Sequence, residues 1–512
     1  MSVRMLEPSP WYAVGNPTAI MAVVVVMTIV VVVSKTIYNV FLHPLSGFPG
    51  PPLRSAVHLI NYLEEIRGYQ VKNAKLLHDK YGPVVRISPD SLSFNTAQSW
   101  RDIYTVKPGK PEISKDMHFF TQSTNGLPSI LVSNCQDHAR IRKLVIYAFS
   151  DLALRNQEPL MVSYIDLLMK QLKKSVDGPE DGLVDLMSWY IFTTFDTIGD
   201  LCFSEPFNAL QTGKYDPWMV SVLNGIKNGR FVRMQRRYPV LAGIVHLLKW
   251  ISSGSAMVNV SREKHMQITQ EKTQRRLDES TPRKDIVTPI LQRNSVGKGM
   301  SRPEIAQTLI LLVTAGSEPT AAGLSGATFN LLRNQAALAC LQAEVRNAFS
   351  SADEITNHRA QQLPYLRAVI EEALRLYPPV PSRFPRRTGK GGAVIDGHFV
   401  PENVSVGTHQ FATYQSSANF HNPDQFIPER WLGDAPKEYT GDVKASVQPF
   451  SMGPRNCLGK NFAYLQIRVI LCKLLWHFDL ELAPQSAKWN EQNAHLLWEM
   501  KPLMVKLSHR KF

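Results

Sequence analysis

The sequence predicts a mainly α-helical fold with a small β-sheet portion, preceded by one N-terminal transmembrane helix. Apolar residues recur at helical spacing through much of the chain, few segments alternate as strands do, and one long apolar run lies near the N-terminus. With 512 residues, 44% hydrophobic and 20% charged, the chain is long enough to bury a large core. We therefore expect one large globular domain behind the anchor.

The transmembrane segment is predicted over residues 18–42, after a short N-terminal tail of residues 1–17. From Thr18 to Val33 the only polar interior residue is Thr28, and the apolar character resumes over 37–42. About 20 helical residues span the hydrocarbon core, so the segment is long enough. A cleaved signal peptide is the alternative, but it would show a shorter apolar core and a small-residue cleavage site. We expect an uncleaved anchor.

Charge and cysteine content place the body of the protein. Basic residues follow the anchor in numbers, whereas Arg4 stands alone before it, which favours a cytosolic body on the endoplasmic reticulum membrane. Five cysteines are few and odd in number, which argues against a disulfide framework and fits a reducing compartment. The net charge of +14 suits a body near anionic lipid or an acidic partner. Scattered basic residues without a recognised motif argue against nucleic-acid binding.

A proline-rich connector over 43–53 is predicted between the anchor and the globular domain, residues 54–512. Residues 48–52 read FPGPP. Fixed proline φ angles and missing N–H groups disfavour helix and favour a stiff extended segment. This segment is expected to set the angle of the domain to the membrane.

Within the domain, apolar spacing predicts five helical stretches: Tyr164–Leu172, Ile305–Leu332, Leu338–Phe349, Leu366–Leu376 and Leu465–Trp476. Ser301 and Glu304 form a capping-box pattern, which predicts one unusually long helix from there to about Arg333. Residues 393–400 read AVIDGHFV, a hairpin pattern, because Asp-Gly tolerates the positive φ angles of a tight turn.

The segment most informative about function is residues 450–459, FSMGPRNCLG. It resembles the cysteine loop of the cytochrome P450 superfamily. The alternative is that Cys457 is an inert buried thiol, but this does not account for the residues around it. Cys457 would lie at the N-terminus of a helix beginning at Leu458, where the dipole stabilises a thiolate.

The resemblance implies that Cys457 is the axial thiolate ligand of haem b, an electron-rich ligand that favours O–O cleavage. Gly453 and Gly459 would permit turns and close approach to the porphyrin, and Arg455 would bind a propionate. Phe450 would shield the sulfur from water.

Further patterns stand in the order that this family requires. Glu372 and Arg375 are one helical turn apart, and residues 426–431, FIPERW, resemble the loop whose Arg430 completes a buried structural triad. His138 and Arg142 share a helix face and resemble propionate ligands, with a solvated basic face as the alternative. A further propionate candidate is Arg386.

Together these features imply a monooxygenase that oxidises a small apolar substrate. Residues 315–318 and 363–366 resemble microsomal fungal members of secondary metabolism. Because no Gly-x-Gly-x-x-Gly fingerprint follows a strand, electrons are expected from an external NADPH-cytochrome P450 reductase, with a cytochrome b-type donor as a second candidate. A haem-thiolate isomerase, a dehydratase or a C–C rearranging enzyme is the alternative, and a non-enzymatic haem sensor is a weaker one.

One departure from the family concerns the long helix. Pro319 stands where the family has a threonine that helps to deliver protons. Proline has no N–H, so the carbonyl of Ala315 loses its helical donor and a kink is expected. We hypothesise that a water held by Ala315, with Glu318 and Ser317 or Thr320, relays protons instead. Thr320 lies about 100° further round the helix, which argues against simple substitution.

The segment 230–238, RFVRMQRRY, combines basic and aromatic residues. It resembles the region where family members dip into the membrane beside a substrate entrance. A solvated helix face is the alternative.

Overall fold

The computed structural model describes residues 17–120, 129–240, 243, 271–279, 283–294 and 299–510, and helices dominate this part of the chain. The helices up to residue 240 are α1 (Pro17–Ile37), α2 (Pro52–Ala56), α3 (Leu59–Arg67), α4 (Gln70–Tyr81), α5 (Ala97–Tyr104), α6 (Cys135–Val145), α7 (Asp151–Asp177), α8 (Leu186–Phe203), α9 (Ala209–Thr212) and α10 (Pro217–Arg237). After a helical segment over 271–278 come α11 (Val287–Gln292), α12 (Arg302–Arg333), α13 (Gln335–Ala348), α14 (Asn357–Ala360), α15 (Pro364–Leu376), α16 (Gln410–Tyr414) and α17 (Lys460–His477).

The strands are short and form small sheets. They are β1 (Val84–Ser88), β2 (Ser91–Phe94), β3 (Ser114–Lys115), β4 (Leu183–Asp185), β5 (Arg386–Arg387), β6 (Ala393–Ile395), β7 (His398–Val400), β8 (Ser405–Thr408), β9 (Phe478–Leu482), β10 (Ala494–His495), β11 (Leu497–Trp498) and β12 (Met504–His509). One sheet has the order β1-β2-β8-β5-β3 and another β4-β12-β9, while β6 pairs with β7 and β10 with β11. The predicted fold class, mainly helical with a small β portion, is confirmed.

The predicted hairpin is the pair β6–β7. Ala393 pairs with Val400 and Ile395 with His398, in antiparallel register. Asp396 and Gly397 between them both have positive φ, 51° and 77°. Two successive left-handed residues are what the favoured two-residue turn requires.

The long helix is also confirmed, as α12. Ser301 accepts a hydrogen bond from the N–H of Glu304, and the Glu304 carboxylate accepts one from the N–H of Ser301, so the capping box forms. The helix continues to Arg333 through Pro319, and its second half is buried from Thr320 to Leu332. Close packing on α8, where Gly316 lies against Ile198, makes α12 the central element of the large hydrophobic core.

The N-terminal helix differs from every helix of the domain because it is apolar and has no buried surface. Residues 18–42 are the one candidate membrane span in the described part of the chain, by length and composition. A π-helical turn over Tyr38–Leu42 continues α1, so the polar residues 34–36 do not interrupt the helix.

The connector is bound to the domain rather than free. Leu45 is fully buried, and the carbonyl of Pro49 accepts a hydrogen bond of 2.7 Å from the N–H of Arg86 in β1. Pro52 begins helix α2, which crosses the predicted boundary at residue 54. The expectation of a helix-free connector is therefore wrong at its end, because proline is well tolerated at the first position of a helix, where its missing N–H is not needed.

We predict that Gly50→Ala destabilises the domain, because a Cβ there would lie 2.3 Å from the carbonyl oxygen of Arg86. Backbone atoms cannot move aside cheaply, so we expect a loss of about 1–3 kcal/mol in the free energy of unfolding. Denaturant titration of the purified protein measures it. Gly47→Ala is the control, since nothing lies within 4 Å of its Cβ position. Equal midpoints for the two variants would contradict the docked connector.

Candidate active site

The cysteine loop, residues 450–459, closes on itself just before α17. Gly453–Arg455 form one turn of 3₁₀ helix, and the N–H of Cys457 donates to the carbonyl of Phe450 at 2.9 Å. Helix α17 begins at Lys460, two residues later than the sequence pattern predicts. Cys457 keeps accessible surface, although desolvation by the surrounding protein raises the pKa of its thiol. The N–H of Gly459 and the charge of Arg142 act in the opposite direction and favour the thiolate.

The two glycines of the loop are not equivalent. Gly453 has a φ of 70°, and a Cβ there would lie 2.0 Å from the carbonyl oxygen of Tyr104, so glycine is required. The loop therefore approaches the backbone at the end of α5 closely at Gly453. At Gly459 a Cβ would make ordinary contacts, 3.9 Å to the Cys457 sulfur. The Phe450 ring packs on Tyr464, with 5.2 Å between centroids.

Helix α6 contributes two side chains to the surroundings of the loop. The guanidinium of Arg142 donates to the backbone oxygen of Asn456 at 2.8 Å and also to the Asn456 side chain. It therefore fixes the residue directly before Cys457. His138, one turn earlier, is buried, and burial lowers its pKa to about 4, helped by the positive charges of nearby groups. His138 is neutral at pH 7 and offers a ring N–H rather than a charge.

A cation cluster, formed by Arg386, Arg455 and Lys115, lies beside this region around a single carboxylate, Glu112. Arg386 Nη1 and Arg455 Nε each lie 2.6 Å from Glu112 Oε1. Burial raises the pKa of Glu112, but the two arginines lower it further, so the carboxylate is ionised. Burial and the same arginines lower the pKa of Lys115 to about 7. Two permanent cations and a partly protonated lysine thus face one negative charge.

The middle of α12 combines one exposed residue with buried polar ones. Ala315 is exposed, whereas Ser317, Glu318 and Thr320 are buried. The Ser317 hydroxyl donates to the carbonyl of Val313 at 2.6 Å, and the Thr320 hydroxyl donates to that of Gly316 at 3.1 Å. Both hydroxyl protons are therefore used within the helix. Pro319 can donate nothing to the carbonyl of Ala315.

Glu372, Arg375 and Arg430 lie together with no exposed side-chain surface. Arg375 binds the carboxylate with two nitrogens, each at 2.8 Å, and Arg430 Nε lies 3.1 Å from Glu372 Oε1. The indole N–H of Trp431 and the backbone N–H of Ile427 donate to the same carboxylate. Each of its oxygens is therefore fully used.

A fourth charged residue completes this cluster. Arg430 also pairs with Asp442, which is buried beside it. Two arginines then face two carboxylates, so the group is neutral as a whole, as a buried ionic cluster must be to avoid a large desolvation cost. We call Glu372, Arg375, Arg430 and Asp442 the buried tetrad.

The tetrad connects to the cysteine loop through hydrogen bonds. Arg375 donates to the backbone oxygen of Tyr414 at 2.9 Å. The Tyr414 hydroxyl accepts from the N–H of Gln448 at 2.8 Å, two residues before Phe450. Tyr414 therefore transmits the position of the buried ions to the start of the loop.

Comparison with known proteins agrees with this geometry. The family model described as cytochrome P450 matches residues 49–507. The chain belongs to the cytochrome P450 family. It is 40% identical to the cytochrome P450 monooxygenase efuB of Hormonema carpetanum over 478 residues, which cover 92% of this chain and 93% of that protein. It is 40% identical to the cytochrome P450 monooxygenase astJ of Aspergillus oryzae (93% and 94% covered) and 39% identical to averantin hydroxylase of Dothistroma septosporum (92% and 88%). The chain is thus an oxidoreductase of the monooxygenase class.

Cytochromes P450 hold haem through a cysteine thiolate, and the residues of this P450 fit that group. The fit rests on donor chemistry: an accessible thiol before a helix stands near a cluster whose positive charge exceeds its negative charge. The two propionates of haem are anions of the kind that such a cluster binds.

Glu112, Lys115 and Asp442 belong to the site or its support, but sequence reasoning missed them. Glu112 precedes the short strand β3 and Lys115 ends it, far along the chain from Arg386 and Arg455, and no local pattern marks them. The Lys115–Arg386 pairing of β3 with β5 brings them there. Asp442 lies in a loop without regular spacing, so its only signal is the charge balance of the predicted triad.

We predict that Glu372→Gln strongly destabilises this P450, because it leaves Arg375 and Arg430 buried with one fewer negative charge. Breaking a buried ion pair costs about 3–5 kcal/mol. Thermal unfolding and the yield of folded protein measure the effect. The control is Glu354→Gln, which removes an ion pair between exposed side chains and should leave the midpoint unchanged.

We also predict how Glu372→Gln changes the pH dependence of the free energy of unfolding. Burial acts to raise the pKa of Glu372, but Arg375 and Arg430 lower it overall. A lowered pKa stabilises the fold above the carboxyl pKa of the unfolded chain, and this stabilisation is lost as pH falls through the folded-state pKa. As pH is lowered, the free energy of unfolding should therefore fall less steeply in Glu372→Gln than in the wild type. If the two proteins lost stability in parallel, the assignment of Glu372 as an ionised carboxylate would be contradicted.

Proposed function

We propose that this P450 is a membrane-anchored haem-thiolate monooxygenase with Cys457 as the axial ligand. The observation that carries the proposal is Cys457 itself, which lies in a loop fixed by Gly453 on one side and by Arg142, through Asn456, on the other. The bound haem supplies the oxygen-activating chemistry. The protein supplies the thiolate and holds it in place.

The propionates are proposed to bind to Arg386, Arg455 and His138, with Lys115 as an additional donor. Arg142 instead donates to the backbone oxygen of Asn456 and so fixes the position of Cys457. Glu112 then limits the local charge, because it already neutralises part of the two arginines. Phe450 is proposed to shield the Cys457 sulfur from water, and Gly459 to permit close approach of the chain to the porphyrin.

Electrons are proposed to come from a membrane-bound NADPH-cytochrome P450 reductase, with a cytochrome b-type protein as a second donor. Arg142 and Lys460 flank the cysteine loop and give this side a positive charge. Acidic partners are attracted to such a surface. The net charge of +14 supports the same docking.

The substrate is proposed to be a small intermediate of fungal secondary metabolism that is largely apolar, and the membrane is proposed to be the endoplasmic reticulum. Support comes from the fungal relatives, one of which is named a hydroxylase of averantin. The one candidate span among the described residues supports an anchor, and the basic residues that follow it support a cytosolic domain. A reductase-independent isomerase, dehydratase or C–C rearranging enzyme would share Cys457 but would consume no NADPH, and a non-enzymatic sensor is not favoured by these relatives.

Proton delivery is proposed to use the free carbonyl of Ala315 and the buried carboxyl of Glu318. The Ser317 and Thr320 hydroxyls already donate within α12, so they can only accept from a relay water. The carbonyl of Ala315 has an exposed position and no helical donor, and it can hold that water. Pro319 is therefore proposed to create the site for the water, without taking part in proton transfer itself.

We predict that Cys457→Ser abolishes the red-shifted Soret band of the reduced carbon monoxide complex, because serine does not donate charge to iron as a thiolate does. Absorption spectroscopy of the purified variant measures it. Cys340→Ser, at an exposed cysteine outside the site, should keep the band. A normal band in Cys457→Ser would refute the assigned ligand.

We predict that Glu318→Gln lowers the product formed per NADPH consumed and increases peroxide release, since an amide cannot pass on a proton. Pro319→Thr restores an N–H for the Ala315 carbonyl and should change the coupling ratio as well. Leu311→Ile on the same helix serves as a conservative control. Unchanged coupling and product in both variants would show that protons arrive by another path.

We predict that Asn403 and Asn259, each in an Asn-x-Ser acceptor pattern, carry no glycan in a fungal host, because a cytosolic domain never meets the transferase. Asn259 lies outside the described residues. Asn403 is exposed after β7, so accessibility does not limit the reaction. An acceptor sequence added before residue 17 should be glycosylated and serves as the positive control. A glycan on Asn403 would reverse the proposed orientation.

A further inference from the structure

Helix α10 carries a half-buried arginine, Arg230, two of whose three guanidinium nitrogens have no hydrogen-bond partner in the described part of the chain. The Nε and Nη1 atoms of Arg230 are enclosed and form no hydrogen bond there, and it is the only cation among the enclosed unpartnered groups of the described residues. Its ring contact is with Phe231, 4.9 Å from the guanidinium carbon. A guanidinium cannot lose its proton to escape this cost, so such a site favours an anion.

Arg230 is the first along the chain of three arginines on one face of α10. Arg233 and Arg237 follow at i+3 and i+7, which places all three on the same side of the helix. Arg233 is buried and pairs with Glu65 of α3, with 2.8 Å from its Nε to the carboxylate. Arg237 Nη2 lies 2.6 Å from the His58 ring. The two arginines nearer the helix end therefore have partners from the domain.

The sequence predicts that the segment 230–238 either dips into the membrane or forms a solvated face, and both remain predictions. Phe231, Val232 and Arg236 are exposed, whereas Glu65 holds Arg233 inside the protein. The apolar continuation of the segment, from residue 241, lies almost wholly outside the described residues.

A polar cavity of about 80 Å³ lies against the Arg233 and Arg237 side chains of this face, and Arg230, one turn before them, does not line it. Arg233, Arg237, Arg383 and Arg387 line it, opposite Glu65, Asp90 and Asp116, so the permanent cations exceed the carboxylates by one. Arg383 donates to a backbone oxygen and to the Ser91 hydroxyl, both neutral acceptors. The lining is thus suited to an anion.

The cavity adjoins the proposed haem site through strand β5. Neighbouring residues of a strand point to opposite sides. Arg386 turns to Glu112 in the cation cluster, while Arg387 turns to Asp116 on the cavity side, at 2.9 Å. A molecule at this cavity is therefore one strand away from the cluster that holds the cofactor.

We propose that the substrate of this P450 carries a carboxylate and that Arg230 binds it. The cavity is the polar part of the entry route, and Arg230 holds the anion after entry so that the apolar remainder can lie toward Cys457. This inference rests on the proposed haem-thiolate function. A lipid phosphate could supply the same oxyanion chemistry, and the test separates the two sources.

The test uses the holoenzyme and ω-imidazolyl alkanoic acids of increasing length, each paired with its methyl ester. The imidazole binds the iron and shifts the Soret band, so the titration reports affinity without knowledge of the natural substrate. At the best length we expect the acid to bind about 10- to 100-fold more tightly than its ester, as a charge-assisted hydrogen bond provides. Arg230→Gln should remove this preference and leave the affinity of the ester and of free imidazole unchanged.

Arg236→Gln is the matched control, because Arg236 is exposed and lies on another face of α10. Equal binding of acid and ester in the wild type would overturn the inference, as would an equal loss of preference in Arg236→Gln. Loss of the preference in phosphatidic acid vesicles but not in phosphatidylcholine vesicles would assign the site to lipid phosphate and overturn the substrate claim. No Soret change with free imidazole would instead overturn the proposed haem-thiolate function.

Discussion

The ionised carboxylate of Glu372, removed from water, is the constraint on which the site depends. Its two oxygens accept from Arg375 of the same helix and from Ile427, Arg430 and Trp431, which come from a segment with little regular structure. The cost of burial is offset only when all these donors are present together. The segment before the cysteine loop therefore has one arrangement, and through Tyr414 this arrangement sets where the loop that carries Cys457 begins.

The features that could be predicted from the sequence are those whose physical cause is local. The capping box of α12 and the Asp-Gly turn of β6–β7 each need only residues a few positions apart, and both formed as expected. The cysteine loop was recognisable for the same reason. Glu112 and the docked Pro49 were not predictable, since their partners lie far along the chain or in a strand that gives no local sign of the contact. Polar side chains acquire such roles only when the tertiary structure brings their charges together.

A short segment, residues 112–116, balances charge on both sides of β5. Glu112 at one end neutralises Arg386 and Arg455 on the cofactor side, while Asp116 at the other end holds Arg387 on the cavity side. The pairing of β3 with β5 fixes this division, because the strand register decides which arginine meets which carboxylate. The charges of the arginines on the two sides of β5 are thus balanced by carboxylates of the same five-residue segment.

Helix α12 shows how a long helix can include a segment whose composition is unfavourable for a helix. From Thr320 onward every residue to Leu332 is buried, and the helix is held by packing on α8 and α17. At 315–320 it carries an exposed alanine, a proline and two hydroxyls that bond back to its own turns. Local rules disfavour this composition in a helix interior. The helix remains continuous because the capping box before this region and the packed half after it stabilise its ends.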